Sequence, residues 1–146
     1  MKAGILKRQS SFQFVLDELL PIRPIIRQMF GFTYVYLEEK LLLSLRESVR
    51  QPRFNGVWLY TDVEHIESLR KEFPALPRRC FWKSGKNGWV ILASTLEEFE
   101  ENAFKACELI LRGDPRIGRV TRRGGPSVIG TGERGLMTGL SRRKNA

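Results

Sequence analysis

Five short apolar runs between Thr33 and Ala93, all but one built on β-branched and aromatic residues, limit most sharply what this chain can fold into. Each is too short for a stable helix, and turn residues separate them. Thr33 to Glu38 reads as a first strand, with Gly31 before it marking a bulge or a close backbone approach. Glu39 and Lys40 read as a turn into Leu41 to Arg46, whose early residues are apolar on both faces, as in a central strand. Pro52 to Gly56 reads as a loop, and Val57 to Tyr60 as a third strand. Arg79 to Lys83 and Gly88 to Ala93 read as a hairpin around Ser84, Gly85, Lys86 and Asn87.

Stretches of helical period flank and interrupt these strands. Phe12, Val15, Leu16, Leu19 and Leu20 form a stripe that Ser10 or Ser11 can cap and that Pro21 and Pro24 end. Thr61 and Glu64 have capping-box spacing before Val63, Ile66, Leu69 or Arg70, and Phe73; Pro74 closes that segment. Thr95 and Glu98 repeat the spacing before Leu96, Phe99, Ala103, Ala106 and Ile110, and Glu97, Glu98, Glu100 and Glu101 suit the N-terminal end of the helix dipole. Arg112 and Gly113 end this helix, and Pro115 forbids its continuation. The resulting order, α-β-β-β-α-β-β-α, implies an α+β fold: an antiparallel sheet with helices over one face.

Charge divides the chain at the end of the last helix. Of its 146 residues, 1–111 hold 16 basic and 14 acidic side chains, whereas 112–146 hold 9 and 2. The second segment also contains Gly113, Gly118, Gly124, Gly125, Gly130, Gly132, Gly135 and Gly139, and no aromatic residue. Such a composition buries too little apolar surface to offset the entropy of ordering. The expected division is a domain over 8–112 and a basic, glycine-rich, flexible extension over 113–146. The first segment has enough apolar residues for a core without disulfide or metal. No apolar run approaches the roughly 20 residues of a membrane span, and Met1 to Leu6 lack a signal-peptide core, so the expected location is the cytoplasm, with no membrane partner.

The residues offer little to catalysis. His65 is the only histidine and sits beside Asp62 and Glu64; one imidazole without a second histidine or a nearby cysteine is a poor ligand set, so it reads as a solvated surface residue. Cys80 and Cys107 lack metal-ligand spacing and read as reduced thiols. Ser10, Ser11, Ser44 and Ser84 have no nucleophile-elbow context. Gly130 to Gly135 spells GxGxxG, but only 11 residues follow it, too few for a dinucleotide-binding βαβ unit. The expectation is a noncatalytic chain without a metal or cofactor.

A stronger binding signal lies in the last hairpin, where Arg78, Arg79, Phe81, Trp82, Lys83, Lys86 and Trp89 interleave cations with rings. Strand alternation places Arg79, Phe81 and Lys83 on one face and Cys80 and Trp82 on the other. Cations beside a ring can hold phosphate and stack a base of DNA or RNA, whereas a purely structural role would make the rings sheet core and the cations a solvated rim. Arg122, Arg123, Arg142, Arg143 and Lys144 would add nonspecific polyanion attraction by counterion release. The alternative is a protein-interaction module, or a homodimer, presenting Trp58, Tyr60 or Trp89 on an exposed apolar patch.

Met29-Phe30-Gly31-Phe32, followed by Tyr34-Val35-Tyr36 and Leu41-Leu42-Leu43-Ser44-Leu45, resembles the opening of the TfoX N-terminal domain, where a Met-Phe-Gly-Gly element leads into a β-hairpin. Gly56 to Tyr60 would be its third strand. Trp89 to Leu92 and the helix of Leu96 to Leu111 are also similar to YjbR-like proteins. The resemblance covers about residues 12–112 and implies a secretion-chaperone-like α-β(3)-α-β(2)-α topology, an association with competence regulation and DNA binding, and no catalytic residues. Phe32 stands where the family motif has its second glycine, and the basic extension takes the place of the usual C-terminal helical domain.

Overall fold

The computed structural model describes residues 12–120. Helix α1 (Gln13–Glu18) and a 3-10 turn (Leu20–Ile22) lead into β1 (Ile25–Met29), β2 (Phe32–Leu37), β3 (Lys40–Arg46) and β4 (Gly56–Asp62). The short helix α2 (Ile66–Arg70), β5 (Phe81–Ser84), β6 (Asn87–Ala93), α3 (Phe99–Leu111) and β7 (Arg119–Val120) complete the order. The fold is α+β, with one seven-stranded antiparallel sheet ordered β1-β2-β3-β4-β6-β5 and β7 paired with β3.

Two strands were not expected. Ile25–Met29 is a strand of its own, and Phe30-Gly31 is not a bulge but the two-residue turn that joins it to β2. Both turn residues have positive φ, 54° and 80°, as the twist of a tight hairpin favours. The next turn is Glu38-Glu39, one residue earlier than expected, because Leu37 pairs with Lys40.

The second addition is β7. Gly113 has φ 77°, and the amides of Gly113 and Asp114 donate to the carbonyls of Ile110 and Leu109, closing α3 with a Schellman motif. The chain then returns to the sheet. Ile117 is 1% exposed, the Gly118 amide donates to the Tyr60 carbonyl at 2.7 Å, and Arg119 and Val120 pair with Leu41 and Lys40. Residues 114–120 thus form a strap between the diverging ends of β3 and β4, and the fold runs past the expected boundary at 112.

Neither capping box forms. Thr61 lies within β4, and its hydroxyl donates to the Arg116 carbonyl at 2.5 Å instead of capping α2. Helix α3 begins at Phe99, four residues beyond Thr95, with Glu98 as N-cap and no side-chain cap. Glu100 and Glu101 still occupy its first turn, where the dipole favours them. Ser10 and Ser11, the expected caps of α1, lie outside the described residues.

The strand registers give the sheet two different faces. Phe32, Tyr34, Trp58, Tyr60 and Trp89 share one, with stacked, tilted or edge-on rings at centroid distances of 4.5–5.9 Å. Val35, Leu43, Leu45, Val57, Leu59, Val90 and Leu92 make the other, all buried. The helices pack on this aliphatic side. Ile66 of α2 lies against Gly88, Phe12 meets Phe99 edge-on at 5.4 Å, and Lys105 of α3 reaches Glu72 at 3.5 Å. Gly56 is required where β4 begins: its φ is 140°, and a Cβ there would collide with the Leu92 carbonyl. Next to it, buried Arg46 fastens the β3–β4 loop by donating to the carbonyls of Arg50 and Gln51 and to Asn55 Oδ1.

Candidate nucleic-acid interface

The β5–β6 hairpin carries the cations singled out in the sequence. Ser84 pairs with Asn87, so Gly85 and Lys86 form its two-residue turn; Gly85 supplies a φ of 64° at the first position. Strand β5 is the outermost strand on this side of the sheet. Arg78 and Arg79 lie in the 3-10 turn Arg78–Cys80 just before it, and Lys83 and Lys86 lie at its end and in its turn. All four are exposed. None is within ion-pair distance of a carboxylate among the described residues.

Strand alternation holds for Phe81, Trp82 and Lys83 but not for the residues before them. Arg79 and Cys80 belong to the 3-10 turn, so strand alternation begins only at Phe81. Phe81 and Lys83 do share a face, but Phe81 is half-buried and the Arg70 guanidinium lies 5.1 Å from its ring centroid. Trp82 faces the other way, opposite Trp89. Trp89 is 6% exposed and packs on Tyr60 at 4.5 Å. The hairpin therefore offers charge at its rim, while its rings serve the fold. Arg122, Arg123, Arg142, Arg143, Lys144 and the GxGxxG run lie outside the described residues.

The expected apolar patch is not at the surface. Trp58 is fully buried, its Nε1 donating to the Phe54 carbonyl at 2.8 Å, and Tyr60 is 5% exposed. Met29 and Phe30 sit at the β1–β2 turn, with Phe30 60% exposed.

His65 is half-buried rather than freely solvated, with Nδ1 3.5 Å from Asp62 Oδ2. Ligand atoms of Asp62, Glu64 and His65 lie within 4.8 Å of one another. Arg119 Nε, however, lies 2.6 Å from Asp62 Oδ1, and the same guanidinium donates to Asn87 Oδ1. A guanidinium of the protein thus already pairs with one of the two carboxylates of this cluster. Cys80 and Cys107 are both buried; burial raises both thiols, Cys107 to about 12. Thiols held protonated are poor nucleophiles. Ser44 is fully buried in β3 and Ser84 is exposed at the hairpin.

A polar centre that the sequence did not announce holds the strap. Arg116 forks onto Asp114, Nε to Oδ1 at 2.9 Å and Nη2 to Oδ2 at 2.7 Å, and also reaches Glu72 Oε2 at 2.8 Å. Its Nη1 donates to the Ser68 carbonyl at 3.1 Å. Hydrogen bonding to Arg116 holds the Asp114 carboxyl down to about 2 and also lowers Glu72. The spacing Asp114-x-Arg116 was the one signal available in the sequence; its partners lie over forty residues away.

No helix among the described residues is long and apolar enough to cross a membrane. Comparisons with protein-family models, curated proteins and solved structures find no match to this chain.

Proposed function

We propose that this chain is a noncatalytic binding module of the TfoX N-terminal or YjbR-like kind, working in the cytoplasm, that holds DNA or RNA by the phosphate backbone. The contacts are Arg78, Arg79, Lys83 and Lys86, with the basic residues of 113–146 adding long-range attraction. One observation carries this reading: four exposed cations, without a carboxylate partner among the described residues, gather on one edge hairpin. Such a set releases counterions when it meets phosphates and carries no base readout. The family resemblance supports the same choice of partner. The burial of Trp89 and the cover of Phe81 by Arg70 support phosphate contact over base stacking.

Fluorescence anisotropy of labelled duplex DNA and single-stranded RNA across a salt series tests this on the full chain. The four hairpin contacts contribute roughly −3 to −4 to the slope of log affinity against log salt on duplex DNA, beyond what the cations of 113–146 add. Replacing Arg78, Arg79, Lys83 and Lys86 with Gln should remove most of that hairpin contribution and leave the melting temperature near its original value. Full binding by the replaced protein, or no binding by the native one, refutes the reading.

A further inference from the structure

The two edges of the sheet are built differently. The β5 edge is guarded by Lys83, with Arg79 and Lys86 flanking the strand, as lysine-rich natural edges are. The β1 edge is not guarded. Among the described residues it pairs only with β2; it contains neither proline nor a bulge, carries the single charge of Arg27, and is exposed from Ile25 to Gln28. Ile25 and Ile26, on opposite faces, are 45% and 41% exposed, and nearby in the chain Leu20 and Phe30 are 64% and 60% exposed. An exposed strand edge bearing β-branched residues is a template for another strand.

We propose that β1 is a dimerisation edge that pairs antiparallel with β1 of a second copy about a two-fold axis. Charge selects this occupant from the possible edge pairings. Joining two β5 edges would bring Lys83 and its flanking cations against their own copies. Joining β1 to β5 would set Arg27 near Lys83 and leave an open, non-closing chain of subunits. Pairing β1 with itself closes after two copies and brings isoleucines together.

The register follows from the same argument. Two-fold antiparallel pairing puts one residue opposite itself. Centring on Arg27 would oppose two guanidiniums, which is unfavourable for directly facing like charges. Centring on Ile26 puts Ile26 opposite Ile26 and Ile25 opposite Arg27. Both basic hairpins then lie at the outer edges of the joined sheet, so dimerisation does not obstruct them.

Sedimentation equilibrium of the full chain at rising concentration tests the proposal, with Ile26→Lys as the disrupting variant. The native chain should reach the mass of two copies, and Ile26→Lys should weaken the association about tenfold or more without lowering the melting temperature of the monomer. A separate Ile26→Cys variant should form an intermolecular disulfide under mild oxidation; Ser68→Cys, on an exposed site of α2, should not. The native cysteines are buried and do not interfere. A native chain that stays monomeric, or a dimer indifferent to Ile26→Lys, overturns the proposal. A dimer that Ile26→Cys fails to cross-link overturns the register.

Discussion

Replacing Arg116 with Ala should destabilise the whole domain, because this side chain ties the strap to α2. In the folded state the guanidinium makes a forked pair with Asp114, a bond to Glu72 and another to the Ser68 carbonyl. Its side chain is 20% exposed, so the pairs are neither freely screened nor deeply desolvated. A hydrogen bond to a charged group contributes about 1.5–3 kcal/mol, and an exposed ion pair adds only about 0.2–1. The expected loss for Arg116→Ala is therefore about 2–3 kcal/mol, or roughly 6–12 °C in melting temperature for a domain of this size. Acid should reveal the same contact. The folded Asp114 carboxyl is depressed to about 2, so its stabilisation is present above its ordinary value near 4 and disappears as pH falls toward 2. After allowance for solvent screening that contribution is about 1–2 kcal/mol. Urea unfolding of both proteins between pH 7 and pH 2 measures it, and the stability gap should narrow on the acid side. A loss below about 0.5 kcal/mol at pH 7, with an unaltered acid limb, would refute the claim that Arg116 stabilises the domain by tying the strap to α2.

Further expectations concern the backbone and the thiols. Phe30→Asn should hold or raise stability by about 0.5–1 kcal/mol in thermal melts, since Asn tolerates the positive φ of this turn better than Phe; a loss would mean that Phe30 packs more than its exposure indicates. Thr61→Val should lower stability by about 1 kcal/mol through the lost bond to Arg116, whereas Thr95→Ala should change it by less than about 0.5, because Thr95 caps nothing. The reverse ranking would restore the capping boxes. Cys80 and Cys107 should resist a thiol-specific chromogenic reagent at pH 8 until the protein unfolds, and labelling at the rate of an exposed thiol would contradict their burial.

Where the sequence was legible, local pattern and tertiary demand agreed. Leu41 to Arg46, apolar on both faces, is β3, with β2 and β4 on either side. The hairpin around Gly85 and the end of α3 at Gly113 needed the backbone freedom that glycine provides. Strand β1 was missed because an edge strand exposed on both faces has no burial alternation, and because Phe30 disguised a turn that usually takes Asn or Asp there. Strand β7 was missed because two paired residues in a basic, glycine-rich segment leave no periodic mark; contacts with Tyr60, Thr61 and Asp62 specify it. The capping boxes misled because Thr61 and Thr95 match a pattern whose hydrogen bonds are not made. At the hairpin, charge was readable because Lys and Arg favour the surface, but ring exposure was not, since a tryptophan in a strand reads the same toward solvent or core.

The most direct test of the nucleic-acid reading is a backbone amide chemical-shift titration of the uniformly ¹⁵N-labelled full chain with a short DNA duplex at low salt. The account predicts the largest shifts at Arg78, Arg79, Lys83, Gly85 and Lys86, with β1 and the α2–α3 side nearly unchanged. Shifts confined to residues outside 12–120, or centred on β1, would contradict it, because the folded domain would then have no part of its own in holding the phosphates.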